Sequence, residues 1–280
     1  MVAQLQITNA GRQSDDRVAP KETHMTAVKN QGFTLVELLV VIGILGILAS
    51  ALFPAISNAV MQANMTAVGT RGRDIYVAIT GANTEREPLG LGNVWPKTKL
   101  DAGTTASSGT PDIGERTYTE SSTYFYDLYD GGNVGTDTWS PYVAGFDYSK
   151  LAGAGVSAKS GSGMLTAQNN MWVIAGNIRD EMEDIIPILV TRNIDCSTLK
   201  ADLTDGSVTT EVKFSTTYKA PFSNKGFVMI RKGGAMFKAR AKYAKLNVVY
   251  QNQAFKTTVT GTGSSAALVY LAPEGTQTPK

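Results

Sequence analysis

The chain has 280 residues, 42% of them hydrophobic and 18% charged, enough for one large domain or two small ones around a sizeable core. Its net charge of +2 offers no general attraction to nucleic acid or to an anionic membrane; four of the 26 basic and three of the 24 acidic residues precede Phe33, so the remainder is close to neutral. A single cysteine, Cys196, excludes an intramolecular disulfide and a cysteine metal cluster, and the lone histidine, His24, leaves everything from Phe33 onward without a histidine triad or a histidine-ligated zinc site.

Met1 to Glu22 is polar and lacks helical periodicity. From Phe33 the chain runs FTLVELLVVIGILGILASALF to Phe53, with Glu37 as its one ionisable side chain. At about 1.5 Å per residue this run spans about 32 Å, enough to cross a bilayer core. It is too long for the apolar region of a secretory signal peptide and is therefore read as retained. A carboxylate inside such a segment costs free energy and calls for a partner, although one turn into the helix Glu37 also reaches the headgroup region.

Lys29-Asn30-Gln31-Gly32-Phe33-Thr34-Leu35-Val36-Glu37, followed by the aliphatic run, resembles the prepilin cleavage and methylation signature of the type IV pilin and type II secretion pseudopilin family. The resemblance implies cleavage between Gly32 and Phe33 by a membrane prepilin peptidase, and N-methylation of Phe33. It implies that Glu37 pairs with the Phe33 amine of a neighbouring subunit, a buried anion meeting a cation and setting axial register more than adding stability. Residues 1–32 are then the leader; Met25 as the start would give a shorter one that still carries Lys29. Gly46 and Pro54 sit where pilins carry helix-weakening residues, which implies an assembly role through local melting from Gly46 to Pro54. A kink, or close helix packing at Gly43, Gly46 and Ala49, is the competing reading.

Beyond Pro54, Ile56, Val60, Ala63, Ala67, Ile75 and Ile79 recur at helical spacing, so the helix is expected over residues 33–80, weakened at Gly69 and Gly72 and stopped at Gly81. Residues 81–280 are expected to form a globular head, so that the resemblance implies an α+β lollipop: a long hydrophobic helix, then an antiparallel β-sheet with long loops. Ala82 to Gly163 is rich in Gly, Ser, Thr and Asp and reads as loop-dominated, pinned by Tyr124, Phe125, Tyr126, Tyr129, Trp139 and Tyr142. Asp127, Asp130, Asn133 and Asp137 have a spacing that could supply calcium oxygens, as some secretion pseudopilins do in a head loop; ordinary turn chemistry gives the same pattern. No other cofactor is suggested.

Trp172 to Ala175 reads as a buried strand, Arg179 to Ile186 as a short helix ended by Pro187, and Ile188 to Val190 as another strand. Glu181, Glu183 and Asp184 read as a solvated face rather than as paired catalytic acids. Strand character returns at Val208 to Tyr218, Phe227 to Arg231, Ala235 to Leu246, Val248 to Tyr250 and Ala266 to Leu271, with Gly233-Gly234 as a hairpin turn. Phe237, Ala239, Ala241 and Tyr243 alternate with Lys238, Arg240 and Lys242, and Lys225 to Lys245 holds seven basic residues and no acid. A charged edge strand that blocks unwanted pairing is favoured over a nucleic-acid stripe.

No nucleotide loop, zinc motif, nucleophile elbow or haem motif is present, so the expectation is a structural protein and not an enzyme. The resemblance implies a subunit of a homo-oligomeric helical filament, inserted first in the inner membrane and then carried to an extracellular or periplasmic fibre by an assembly platform and an ATPase. A pilus subunit and a secretion pseudopilin or minor pilin both fit. A membrane-anchored binding protein or enzyme is the reading from another class.

Overall fold

The structure, a computed structural model, describes residues 32–98, 113–130, 166–257 and 267–280. Two compact units divide between Phe53 and Pro54. The long helix α1 (Leu35–Arg86) contributes to both.

In the first unit, α1 has no buried position from Leu35 to Phe53. Its Leu, Val and Ile side chains point to every side of the helix and none is covered. A helix that is apolar all round requires lipid or neighbouring helices for its surface.

In the second unit α1 becomes one-sided. Its buried positions are Met65, Val68, Gly69, Gly72, Ile75, Ile79, Ala82 and Arg86. This stripe differs from the expected one: Ile56, Val60, Ala63 and Ala67 are exposed, and only Ile75 and Ile79 lie inside. The reason is that the two glycines are part of the contact face. A Cβ on Gly72 would meet Trp172 and Ile230, and one on Gly69 would meet Met236 and Val228. The glycines expected to weaken the helix therefore admit the sheet to its backbone.

Gly81 does not stop the helix either. Nothing lies within 4 Å of where a Cβ on it would stand, Ala82 beyond it is buried, and α1 runs on to Arg86. A 3-10 turn at Glu87–Leu89 follows, closed by Gly90 at φ 68° with its N–H bonded to the Glu87 carbonyl at 3.0 Å. Pro88 lacks an N–H to continue the ladder, and glycine adopts the left-handed closing conformation without a Cβ clash.

Six antiparallel strands form one sheet in the order β4-β3-β2-β1-β5-β6: β1 (Trp172–Gly176), β2 (Pro187–Thr191), β3 (Gly226–Arg231), β4 (Met236–Arg240), β5 (Val269–Leu271) and β6 (Thr276–Gln277). β1, β2 and β3 are buried along their whole length. Their continuous apolar runs are explained by cover on both faces. Val228 and Ile230 face α1. Phe227 packs instead against Phe214 and Phe237 on the opposite face, where Arg231 also reaches the Val249 carbonyl at 2.6 Å. That second layer carries the short helix α3 (Leu246–Val249). A long apolar N-terminal helix packed on a six-stranded antiparallel sheet is the α+β, pilin-like fold expected from the resemblance.

The β3–β4 hairpin turns at Gly233-Gly234 as expected, with Gly234 at φ 76° and Ile230 paired to Met236. Other expectations are corrected. Arg179 to Ile186 forms two turns, with Met182 N–H bonded to Arg179 O and Ile186 N–H to Glu183 O; Pro187 opens β2 instead of closing a helix. Val208 to Tyr218 makes only single bridges, Glu211 to Lys245 and Ile194 to Phe214, because the segments beside it are themselves turns. The strand expected to Leu246 ends at Arg240 and gives way to a 3-10 turn at Ala241–Tyr243; Val248 to Tyr250 is the end of α3 and the residue that caps it. In the segment read as loop lies α2 (Ser121–Asp130), whose Tyr124, Phe125 and Leu128 are fully buried. Aromatic and serine-rich composition hides such a helix from propensity. Packing holds it: Ser121 Oγ donates to the Trp172 carbonyl at 2.8 Å, and Asn170 Nδ2 donates to Ser121 Oγ at 2.9 Å.

Candidate processing and assembly site

The N-terminal site is built from the start of α1. Gly32 and Phe33 precede the helix in irregular, exposed backbone, with Phe33 78% exposed, so the bond between them is accessible. Thr34 is the N-cap. Its Oγ1 accepts from the Glu37 N–H at 3.2 Å, while Glu37 Oε2 accepts from the Thr34 N–H at 2.8 Å and from the Thr34 hydroxyl at 2.9 Å. The Thr34 carbonyl accepts the first helical bond, from Leu38 N–H at 3.2 Å.

This is a reciprocal capping box, in which two N–H groups at the helix start find acceptors. Sequence reasoning gave Glu37 a role only toward a neighbour and missed the local one. The signal was present, since Thr-x-x-Glu before an apolar run is the sequence form of the box. The local bonds do not exhaust the carboxylate. Oε2 is occupied by Thr34, and Oε1 has no partner among the described residues. A carboxylate carries about four lone-pair directions, so Oε1 retains acceptor capacity for a further donor.

Gly46 has no atom near an added Cβ, and the helix continues through Pro54. Pro54 cannot donate to the carbonyl one turn back, at Ser50, so the ladder lacks a rung there. The Ser50 hydroxyl, separately, donates to the Ile47 carbonyl at 2.8 Å. One helix among the described residues is long and apolar enough to cross a membrane, with a mean hydropathy of 2.6 over its most apolar stretch.

The other candidates separate from this site. Asp127 is held by Arg116 at 2.7 Å and accepts from the Tyr118 hydroxyl at 3.1 Å. Asp130 ends α2, and Asn133 and Asp137 lie outside the described residues, among which no cluster of His, Cys, Asp and Glu could hold a metal. Tyr129 (its side chain), Trp139 and Tyr142 lie outside them too. Glu181, Glu183 and Asp184 are on an exposed turn, with Lys232 3.6 Å from Asp184. Cys196 is fully buried, and burial followed by the neighbouring Asp195 pushes its thiol well above the usual range, so it is no nucleophile. The cations of β4 stand on an edge strand: Lys238 and Arg240 line the α1 side, opposite the face of Phe237 and Ala239.

Residues 28–53 match the family model described as the prokaryotic N-terminal methylation motif. Comparisons with curated proteins and with solved structures return no match. The matched stretch takes in the accessible Gly32–Phe33 bond, the capping box and the uncovered apolar helix. The chain thus carries, at its N-terminal helix, the methylation motif typical of type IV pilins and pseudopilins.

Proposed function

We propose that the chain is a structural subunit of a type IV pilus-like filament, cut between Gly32 and Phe33, N-methylated at Phe33 and assembled through α1. The observation that carries this reading is the helix from Leu35 to Phe53, which bears the methylation motif and has no apolar position covered. In the precursor, lipid covers that surface, and the head lies beyond Pro54 on the outer side. In the filament, neighbouring helices take the place of lipid. Both surroundings are equally apolar, so the exchange gains little hydrophobic free energy, and growth rests on packing, on polar contacts and on an energised assembly machine.

Glu37 supplies the polar contact. Thr34 fixes one carboxylate oxygen, and the other accepts from the Phe33 amine of the next subunit, which sets the axial register. Pro54 and Gly46 give the stretch between them the weakest ladder of α1, and this stretch loses helicity on assembly. A structural role of this kind needs no catalytic residue.

Mass spectrometry of protein sheared from intact cells, with electron microscopy of the same fraction, tests the proposal. Methylated Phe33 as N-terminus of the main component of long fibres is the expected result. The same terminus confined to the membrane fraction assigns a pseudopilin or minor pilin role. An uncut Gly32–Phe33 bond refutes processing and leaves a plain membrane anchor.

A further inference from the structure

The β3–β4 hairpin has unlike charge at its two ends, both within the unit that begins at Pro54. At the end where Gly226 pairs with Arg240, an open groove of about 750 Å³ lies between residues 57–64 of α1 and residues 219–225. Its lining combines apolar Val60, Met61 and Phe222 with the cations Lys219, Lys225 and Arg240. No acidic residue lines it, and among the described residues none of the three cations is in an ion pair. Lys219 and Lys225 are exposed. At the other end, the Gly233 N–H donates to the Asp184 carbonyl at 3.1 Å, which holds the turn 180–184 beside the hairpin tip. Asp180, Glu181, Glu183 and Asp184 are all exposed. Lys232 lies 3.6 Å from Asp184; the other three carboxylates have no cation paired with them among the described residues.

We infer that the groove receives the acidic turn 180–184 of a second copy of this chain, joining heads head to tail. The first argument is charge complementarity. A chain of net charge +2 carries a groove without acids and a turn without bases, each the counterpart of the other. The second argument is distance. β3 spans about 17 Å between the two ends. Met61 lies against Gly226 and Tyr76 against Gly234, and these two residues are separated by about 22 Å of helix. Groove and turn of one copy therefore cannot meet, whereas those of two copies can. The third argument is direction. Groove against groove, or turn against turn, sets like charges opposite each other and is disfavoured. The remaining contact, groove on turn, is heterologous: each copy keeps one free groove or one free turn, so the contact repeats along an open helical assembly. Val60 and Met61 shield the ion pairs from water on one side, so salt screens them less than fully exposed pairs.

The inference rests on the filament reading of the proposed function and names a contact within that filament. The test is the yield of fibres sheared from cells that produce the full chain or its variants. Lys219→Glu with Lys225→Glu, and separately Glu181→Lys with Glu183→Lys, set like charges opposite each other. Each double variant should lower the yield about tenfold or more. The chain with all four substitutions exchanges the signs, restores the attraction and should return to the parent yield. Melting midpoints equal to the parent's show that the variants are folded. A second measurement leaves the charges largely in place: Lys225→Cys with Glu183→Cys, oxidised in the fibre, should give a ladder of multimers beyond the dimer. A disulfide needs Cα atoms within about 7 Å, so the two cysteines of one copy cannot link, and buried Cys196 does not compete. Each single cysteine variant should give no ladder. Normal fibres from either charge reversal overturn the contact, as does a folded fourfold variant without rescue, or a cysteine pair without a ladder. Loss confined to the groove variant also overturns it and assigns the groove to a different acidic partner. A parent chain that makes no fibres refutes the filament reading itself; fibres indifferent to the reversals refute only this contact.

Discussion

Replacing Gly72 by alanine tests the seating of the sheet on α1. The new Cβ would lie 2.5 Å from Trp172 Cη2 and 3.0 Å from Ile230 Cγ1, against about 3.5–4.0 Å for an ordinary carbon contact. Trp172 is fully buried at the start of a central strand and has no open space to swing into. Overpacking of this kind costs about 1–3 kcal/mol, and alanine recovers about 1 kcal/mol of helix propensity over glycine. Gly72→Ala should therefore lose up to about 2 kcal/mol. Gly81→Ala is the control: it is helical and exposed, with nothing near the added Cβ, and it should gain about 1 kcal/mol. The two variants share the propensity term, so their separation of about 1–3 kcal/mol isolates the contact. For a unit of this size that is about 2–4 °C in melting midpoint for each kcal/mol. Thermal unfolding of the full chain in micelles, followed by near-ultraviolet circular dichroism, reads it. If Gly72→Ala raises the midpoint as much as Gly81→Ala, the sheet is not seated on the helix at this glycine, and the reasoning fails.

At the N-terminus, Glu37→Ala should leave membrane insertion and cleavage intact and abolish filaments by electron microscopy. Thr34→Ala, which removes the cap at about 1 kcal/mol but keeps the carboxylate, should reduce filament yield and not abolish it. Equal yields from the two variants would mean that Glu37 acts only as a cap. Asn170→Ala deprives the Trp172 N–H of its acceptor at 2.9 Å and removes the Asn170 amide's bonds to the Ser121 and Ser122 hydroxyls of α2. A loss of about 1–3 kcal/mol is expected in urea titration, and a neutral result would show that the α2 contact is dispensable. Burial raises Cys196, Tyr250 and Tyr270 above their ordinary values of 9.0 and 10.0. The unfolded chain then releases protons that the folded one keeps. Stability should be flat through neutral pH and fall above about pH 9, approaching about 4 kcal/mol per pH unit once all three groups titrate. A rise in stability with alkali would contradict that burial. By the same burial, Cys196 should react with a thiol reagent only after unfolding.

What was legible in the sequence was whatever depends on neighbours along the chain. The apolar run to Phe53, the Gly32–Phe33 signature, the buried strands around Trp172, Ile188 and Phe227, and the Gly233-Gly234 hairpin are local patterns. The apolar run, the strands and the hairpin were read correctly from composition and spacing, and the signature by resemblance, which the family-model match over residues 28–53 supports. The Thr34–Glu37 capping box was equally local and was missed only because Glu37 was read toward a neighbour. The misread elements depend on partners distant in the chain. Val208 to Tyr218 has strand-like composition but no straight strand beside it, and α2 has poor helical composition but Asn170, the start of β1 and the end of β5 to hold it. The same separation governs Gly69 and Gly72. From sequence alone a glycine in a helix is a weakness, because nothing nearby compensates for its lost side chain. Only the folded chain brings Trp172 and Met236 against those two positions, and there the missing Cβ lets the sheet approach. The amino-acid sequence by itself determined the membrane-length helix and its N-terminal methylation motif, because hydrophobicity and a short motif are properties of contiguous residues. The tertiary structure decided which face of α1 is buried and that Gly69 and Gly72 lie on it, because both require residues far apart in sequence to meet.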